Sequence, residues 1–356
     1  MQLGIIGLPQ SGKTTVYKAL TGADVSAEMS AGQMEVHTSV VDVPDERVDQ
    51  LCQIYKPKKT VRAKVTFADI AGLDGSAGKA GLPGVMVNQL AQMDGFLHVV
   101  RQFENASVPH LASSIDPIRD IQTMDTEFIL NDLVMVERRL EKLREEHRRG
   151  VSRPRDVIQA EIDLFEKLEA MLGDEKPLRH YEFTPEDDKI LSSFGFLSRK
   201  PQIIVFNQSE EQETISYTSP HPHTTVVHLP AKLELDIMAL EPEDVAMFME
   251  EFKVTELVIP RLIQISYDLL NVHSFFTAGD KEVHAWTLRK GSNAREAAGT
   301  IHSDMEKGFI RAEVISFVDL LTYGSTAEAR NKGRLRVEGK NYIVEDGDIL
   351  EIRFNV

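Results

Sequence analysis

Gly7-Leu8-Pro9-Gln10-Ser11-Gly12-Lys13-Thr14 has the spacing G-x-x-x-x-G-K-[ST], the P-loop pattern, which gathers the groups needed to hold a polyphosphate. The glycines let the chain turn so that successive backbone N–H groups face inward on phosphate oxygens. Gln10, Ser11, Gly12, Lys13, Thr14 and Thr15 are therefore expected to bind nucleotide. Lys13 is placed to reach the β- and γ-phosphates, which also gives it a part in catalysis, and the Thr14 hydroxyl to ligate Mg²⁺. The apolar Leu3, Ile5 and Ile6 predict a strand leading into the loop, and Thr15–Leu20 a helix whose positive N-terminal end meets the anion.

Two further motifs belong to such a site. Asp69-Ile70-Ala71-Gly72 closes a predicted strand at Lys64–Ala68. In switch proteins a D-x-x-G here holds Mg²⁺ through water with Asp69 and senses the γ-phosphate with the Gly72 N–H. Leu73 follows, where a glutamine would orient the attacking water, and leucine cannot do so; slow turnover is expected. Asn207-Gln208-Ser209-Glu210 follows an apolar run, Ile203–Phe206, at the place of the guanine reader N-K-x-D. Glutamate replaces the aspartate that accepts guanine's two N–H donors, and Gln208 replaces the lysine whose stem covers the base. A site lacking those contacts loses its discrimination for guanine.

The elements that carry these motifs are legible in outline. Residues 1–118 alternate strand-like and helix-like segments: Val36–Val43, a helix from Pro44-Asp45 with Val48, Leu51 and Ile54 on one face, and Gly95–Val100. The period then changes. Leu133, Val136, Leu140 and Leu143, then Ile158, Ile162, Phe165, Leu168 and Leu172 after a break at Gly150–Pro154, predict an antiparallel helical hairpin with a narrow seam. Its tip carries Arg148, Arg149, Arg153 and Arg155, a contact point or simply a solvated loop. Strand character returns at Gln202–Phe206 and Thr225–His228, so the hairpin is inserted into the α/β domain. From residue 274, short strands (Ser274–Thr277, Val283–Thr287, Ala312–Ser316, Asn341–Val344, Asp348–Phe354) around one helix at Ala294–Ser303 predict an α+β, ubiquitin-like module. The expected domains are 1–118 with 200–273, 119–199, and 274–356.

Composition sets the class. The 356 residues hold 40 Lys+Arg against 56 Asp+Glu, a net charge of −16, which excludes coating of nucleic acid by bulk electrostatics. From Phe275 to Val356 the balance is 12 basic to 13 acidic residues, leaving room for a local basic face. One cysteine, Cys52, excludes internal disulfides and cysteine-based metal clusters. No apolar run is long enough for a membrane span, and the apolar start runs straight into the P-loop, so a cytoplasmic protein without membrane contact is expected. His221-Pro222-His223 lacks a third ligand and reads as a loop; Trp286 reads as core.

These motifs resemble the YchF family of Obg-related P-loop proteins from end to end. The resemblance is carried by Tyr55-Lys56-Pro57-Lys58-Lys59-Thr60, Asp69-Ile70-Ala71-Gly72-Leu73, His98-Val99-Val100-Arg101, Asp116-Pro117, Asn207–Glu210, Phe275-Phe276-Thr277-Ala278-Gly279, Glu306–Val314 and the terminal Arg353-Phe354-Asn355-Val356. It implies a G domain with an inserted coiled-coil hairpin and a C-terminal TGS domain of β-grasp type. It also implies ATP preferred over GTP through an N-x-x-E motif at Asn207 and Glu210; the P-loop and D-x-x-G residues call for Mg²⁺ as cofactor, with ATP and ADP as the expected partners and GTP and GDP as the alternative. Ribosome association in translation or stress regulation is implied too, which leaves rRNA or tRNA contact open to the hairpin and TGS domain. By alignment His110 takes the place of a histidine proposed in the family to assist hydrolysis, a role imidazole chemistry permits near neutral pH. Ala231 and Lys232 fall in the base-side loop, where Pro230 replaces the family's usual serine. Gln10-Ser11 stands where Asn-Val is usual, and Gln33 where the family has a Mg²⁺-capping threonine. A ribosome adaptor with negligible turnover and a true GTPase are the alternatives to an ATPase switch.

Overall fold

The computed structural model describes residues 1–23, 36–70, 81–108, 110, 114–150, 153–210 and 212–355. In chain order the elements begin with β1 (Gln2–Ile6), α1 (Lys13–Thr21), β2 (His37–Asp42), α2 (Glu46–Tyr55), β3 (Lys59–Val61), β4 (Lys64–Asp69), α3 (Gly84–Ala91) and β5 (Gly95–Arg101). They continue with α4 (Pro117–Arg149), α5 (Arg155–Gly173), α6 (Pro185–Leu191), β6 (Gln202–Asn207), β7 (Thr224–Leu229), α7 (Ala231–Met238), α8 (Pro242–Glu251) and α9 (Val258–Leu269). The chain ends with β8 (Val272–Ala278), β9 (Glu282–Arg289), α10 (Ala294–Ile301), α11 (Ser303–Lys307), β10 (Phe309–Ser316), α12 (Phe317–Tyr323), α13 (Thr326–Asn331), β11 (Arg336–Glu338) and β12 (Asp348–Phe354).

Two compact units result. The first holds residues 1–39 and 66–259, with strands in the order β2-β4-β1-β5-β6-β7. From β4 to β7 every pairing is parallel, and every residue of β5 and β6 is buried, which is why both are mostly apolar, with His98 and Gln202 bonded to each other inside the sheet. Ile5 of β1 lies level with Asp69 of β4, and Arg101 of β5 with Asn207 of β6. The carboxyl ends of four adjacent strands thus present their motifs at one edge, the position where open α/β sheets bind ligands.

The inserted hairpin belongs to this unit. Asp116 caps α4, its side chain accepting from the Arg119 N–H, with Pro117 in the first helical position and Gly150 ending the helix. Val136, Leu140 and Leu143 pack against Ile158, Ile162, Phe165, Leu168 and Leu172 along the expected seam. The Asp132 carboxylate on α4 accepts from the N–H groups of Leu197 (2.9 Å) and Ser198 (2.7 Å), tying the helix to the chain entering β6. Deeper, one nitrogen of Arg179 meets both oxygens of Asp125 at 2.6 and 2.7 Å, and its Nε donates to Thr224. At the tip Arg149 pairs with Glu145 and Arg153 with Glu146 and Glu161, leaving Arg148 and Arg155 exposed.

The second unit holds residues 40–65 and 260–356, so Val40–Val65 groups with the C-terminal residues and the division falls inside β2 and β4. The domain boundaries read from sequence miss this because β3 is only three residues long and gains its pairing from β9, 223 residues ahead at Lys59–Glu282. Arg47 bonds Asp346 at 2.9 Å and Tyr55 bonds Thr326 at 2.7 Å in the same unit. The sheet order is β11-β10-β12-β8-β9-β3.

Two expectations for this region are corrected. The expected helix is α10, and three more, α11 to α13, stand beside it, each of seven residues or fewer and too short to show a full apolar period. Asn341–Val344 is not a strand: Ile343 makes one bridge to Asn293, while the Tyr342 hydroxyl turns to Asp348 at 2.7 Å. Trp286 is half-buried and packs against the core of this unit, stacked on His284 at 3.6 Å and lining a cavity of about 480 Å³.

Candidate nucleotide site

The P-loop owes its shape to three left-handed or glycine-only positions. Gly7 has φ 147°, Gln10 φ 63° and Gly12 φ 93°. A Cβ on Gly7 would stand 2.3 Å from the Val99 carbonyl oxygen, and one on Gly12 2.2 Å from Asn207 Nδ2, so both positions exclude side chains by contact as well as by φ. Gly12 is also the N-cap of α1, with no capping side chain and no acidic residue in the first turn. The first-turn N–H groups are left for an anion.

Lys13 is buried, and its ammonium donates to the carbonyls of Gly7 (3.1 Å) and Leu8 (2.9 Å), spanning the loop it serves. Burial lowers its pKa to about 8, with Asp69 acting in the opposite sense. Thr14 Oγ1 donates to Asp69 Oδ2 at 3.2 Å across the gap between α1 and β4. Burial pushes the Asp69 carboxyl upward, opposed by the Thr14 hydroxyl, Lys13 and His37. A hydroxyl and a carboxylate oxygen side by side are the hard donors that Mg²⁺ prefers, so the residues present fit that ion, and Thr14 and Asp69 would hold it. Among the described residues no cluster of three or more His, Cys, Asp or Glu could hold a metal, and His221 instead meets His180, Nδ1 to Nδ1, at 3.1 Å.

Asn207 arrives from β6. Its Nδ2 donates to the Ser11 carbonyl at 3.0 Å, and its own carbonyl accepts from Gln102 (2.9 Å) and Phe103 (3.2 Å). Gln208 is half-buried, its N–H bonded to the Leu229 carbonyl, and Glu210 is exposed. Ala231 is fully buried as the first residue of α7, while Lys232 lies in solvent paired with Asp236. Gln10 and Thr14 are exposed; Ser11 is buried.

His110 is placed differently. Its Nε2 lies 3.0 Å from Asp120 Oδ2 on α4, with both side chains nearly withdrawn from solvent. Gly72, with Ala71 and Leu73, and also Gln33, fall outside the described residues. The structure therefore gathers the P-loop, Asp69 and Asn207, and gives His110 a carboxylate partner that no spacing in the sequence announces. Arg101 was missed as well: its guanidinium binds the carbonyls of Phe103 and Val108 and covers the Phe103 ring, bracing the segment that leads to His110.

Residues 2–139 match the family described as 50S ribosome-binding GTPase, and residues 272–355 match a YchF C-terminal family described as a protein of unknown function (DUF933). Over 99% of both chains the sequence is 38% identical to the Ribosome-binding ATPase YchF of Bacillus subtilis. The chain belongs to the YchF family. The Obg-like ATPase 1 of Oryza sativa subsp. japonica is 35% identical across the whole of this chain and 92% of its own length. A solved structure, the Schizosaccharomyces pombe YchF GTPase, superposes with a TM-score of 0.84 at 29% identity, covering 99% of this chain and 97% of the other. A P-loop domain joined to a YchF C-terminal domain is thus the architecture of the chain.

Proposed function

We propose that this chain is a Mg²⁺-dependent P-loop ATPase that acts with the ribosome in the cytoplasm, binding ATP in preference to GTP and hydrolysing it slowly. The observation that carries the reading is Lys13, buried under its own loop beside the Thr14–Asp69 pair at an uncapped helix N-terminus. That is a site for the β- and γ-phosphates of a nucleotide and one hard cation. The relatives' names, Ribosome-binding ATPase YchF and Obg-like ATPase 1, support the nucleotide and the partner. No helix among the described residues is long and apolar enough to cross a membrane.

Each residue has a task in this reading. The loop N–H groups and Lys13 hold the phosphates and offset their charge, with Thr14 and Asp69 holding the ion. Mg²⁺ supplies neutralisation of charge on the β- and γ-oxygens. His110 accepts the proton of the attacking water. Gln208, Glu210, Ala231 and Lys232 form the base side, where the absence of N-K-x-D removes guanine selectivity, and Asn207 binds the P-loop through the Ser11 carbonyl. The exposed Arg148 and Arg155 at the hairpin tip suit contact with rRNA or tRNA phosphates.

Calorimetric titration with ATP, ADP, GTP and GDP, and ATP turnover with and without ribosomes, test the reading. ATP tighter than GTP, with measurable turnover, is expected; GTP tenfold tighter, or no turnover in either condition, overturns it. Gln208→Lys with Glu210→Asp should move preference towards GTP by about 1–3 kcal/mol.

A further inference from the structure

We propose that the second unit holds a peptide-binding site: a gap in its sheet, between β8 and β12, takes an extended, uncharged peptide segment and encloses one of its apolar side chains. The site is separate from the P-loop and does not rest on the nucleotide reading. β8 and β12 run parallel, yet among the described residues they pair only at Phe276 and Ile349. The ladder would continue through Thr277 with Leu350 and Ala278 with Glu351. Neither pair is made, and all four residues line the cavity of about 480 Å³ instead.

The alternation of backbone hydrogen bonds says which groups the gap leaves over. The Gly279 N–H donates to the Glu282 carbonyl at 3.1 Å, so Thr277 and Phe275 also bond towards β9. Phe276 and Ala278 then turn their N–H and C=O groups to β12. In a parallel ladder Phe276 meets the two residues flanking Ile349, so Leu350 and, two further on, Ile352 face β8. Past that pair, Ala278 on one wall, and the Leu350 carbonyl and Ile352 N–H on the other, present main-chain groups to the cavity.

The side chains around the gap call for no charge. Glu313 is bound by Arg330 (2.7 Å) and Arg353 (3.2 Å), and Glu282 by Lys59 (2.7 Å) and His284 (3.1 Å). The Trp286 indole N–H donates to the Thr277 hydroxyl at 2.9 Å, and the Tyr55 hydroxyl pairs with that of Thr326. Asp280 and Lys281, one of each sign, are exposed at the rim. What remains is apolar surface from Trp286, Ile301, Met305 and Ile352. Main-chain donors and acceptors beside an apolar hollow are the two halves of strand addition: the first hold a peptide backbone, and the second selects a side chain. The opening from Thr277 to Gly279 is about 10 Å long, the span of three strand residues.

Trp286 is the only tryptophan of the chain, so its fluorescence reports on this cavity alone. The experiment titrates the full chain with capped five-residue peptides of threonine and valine whose central residue is leucine, methionine or phenylalanine. Each is also made with N-methylated backbone nitrogens, which removes the donors and keeps the side chains. Expected is a saturable change in Trp286 emission with at least one peptide, weakened at least about tenfold by N-methylation. Met305→Phe, which narrows the cavity, should weaken the same peptide at least about tenfold and leave ATP affinity within about twofold of wild type. A central lysine or glutamate should also weaken binding at least about tenfold, because neither charge finds a free partner.

No saturable change with any peptide overturns the proposal, as does equal binding of the N-methylated form. Wild-type peptide affinity in Met305→Phe places the peptide elsewhere and overturns it too. Adenosine producing the same change at lower concentration assigns the cavity to a nucleobase and overturns the peptide. Should Met305→Phe fail to fold, the N-methylated peptides decide the matter on the wild-type chain.

Discussion

Asn207 Nδ2 and the Ser11 carbonyl, 3.0 Å apart, join the carboxyl end of β6 to the middle of the P-loop. The side chain that sequence comparison assigns to the base side of the site is here a clamp on the phosphate side. Its carbonyl, engaged by Gln102 and Phe103, extends the same clamp to β5.

Asn207→Ala should therefore weaken ATP and GTP alike, because the loop that binds phosphate is common to both. Loss of one buried hydrogen bond, with the Ser11 carbonyl left unpaired, is worth about 1–3 kcal/mol. Calorimetry with both nucleotides checks it; a loss confined to one base would return Asn207 to base reading.

Gly12→Ala should reproduce that effect from the other partner. The new Cβ collides with Asn207 Nδ2 at a residue whose φ is 93°, so the clamp opens or the loop distorts. Nucleotide affinity should fall by at least the amount seen for Asn207→Ala, and combining the two changes should cost less than their sum.

Lys13 makes binding pH-dependent. In the free protein its pKa is lowered to about 8 by burial. A phosphate beside it favours the ammonium and raises that value, so binding above pH 8 takes up a proton. Affinity should hold steady below pH 8 and fall as pH rises beyond it, approaching tenfold per pH unit. Calorimetry in buffers of different ionisation enthalpy counts the proton, and Lys13→Ala should abolish both binding and the uptake.

Asp125→Ala should destabilise the first unit by about 3–5 kcal/mol, because it leaves the Arg179 guanidinium, 1% exposed, buried without its anion. Replacing both residues by apolar ones of similar volume should recover most of that loss. Urea unfolding followed by circular dichroism measures each variant.

What could be read from the sequence was local. The P-loop needs eight consecutive residues, and the hairpin seam repeats every three or four positions, so both were legible. β3 has three residues and exists because β9 pairs with it. α12 and α13 are seven and six residues long and depend on the caps Ser316 and Ser325. In the site, Lys13, Thr14 and Asp69 announced themselves by motif. The Asp120 partner of His110 and the brace of Arg101 carry no spacing rule, since loop closure alone brings them to their targets.

The hydrogen bond from Asn207 to Ser11 spans 196 residues of chain, with the whole helical hairpin made in between. At about 5–20 residues per second, synthesis leaves the P-loop without its clamp for roughly 10–40 s. During that interval the nascent chain has its phosphate-binding residues but not the strand that holds them in shape. Full nucleotide affinity should be acquired only after the hairpin and β6 have been made, so a growing chain is expected to compete less well for nucleotide than a finished one.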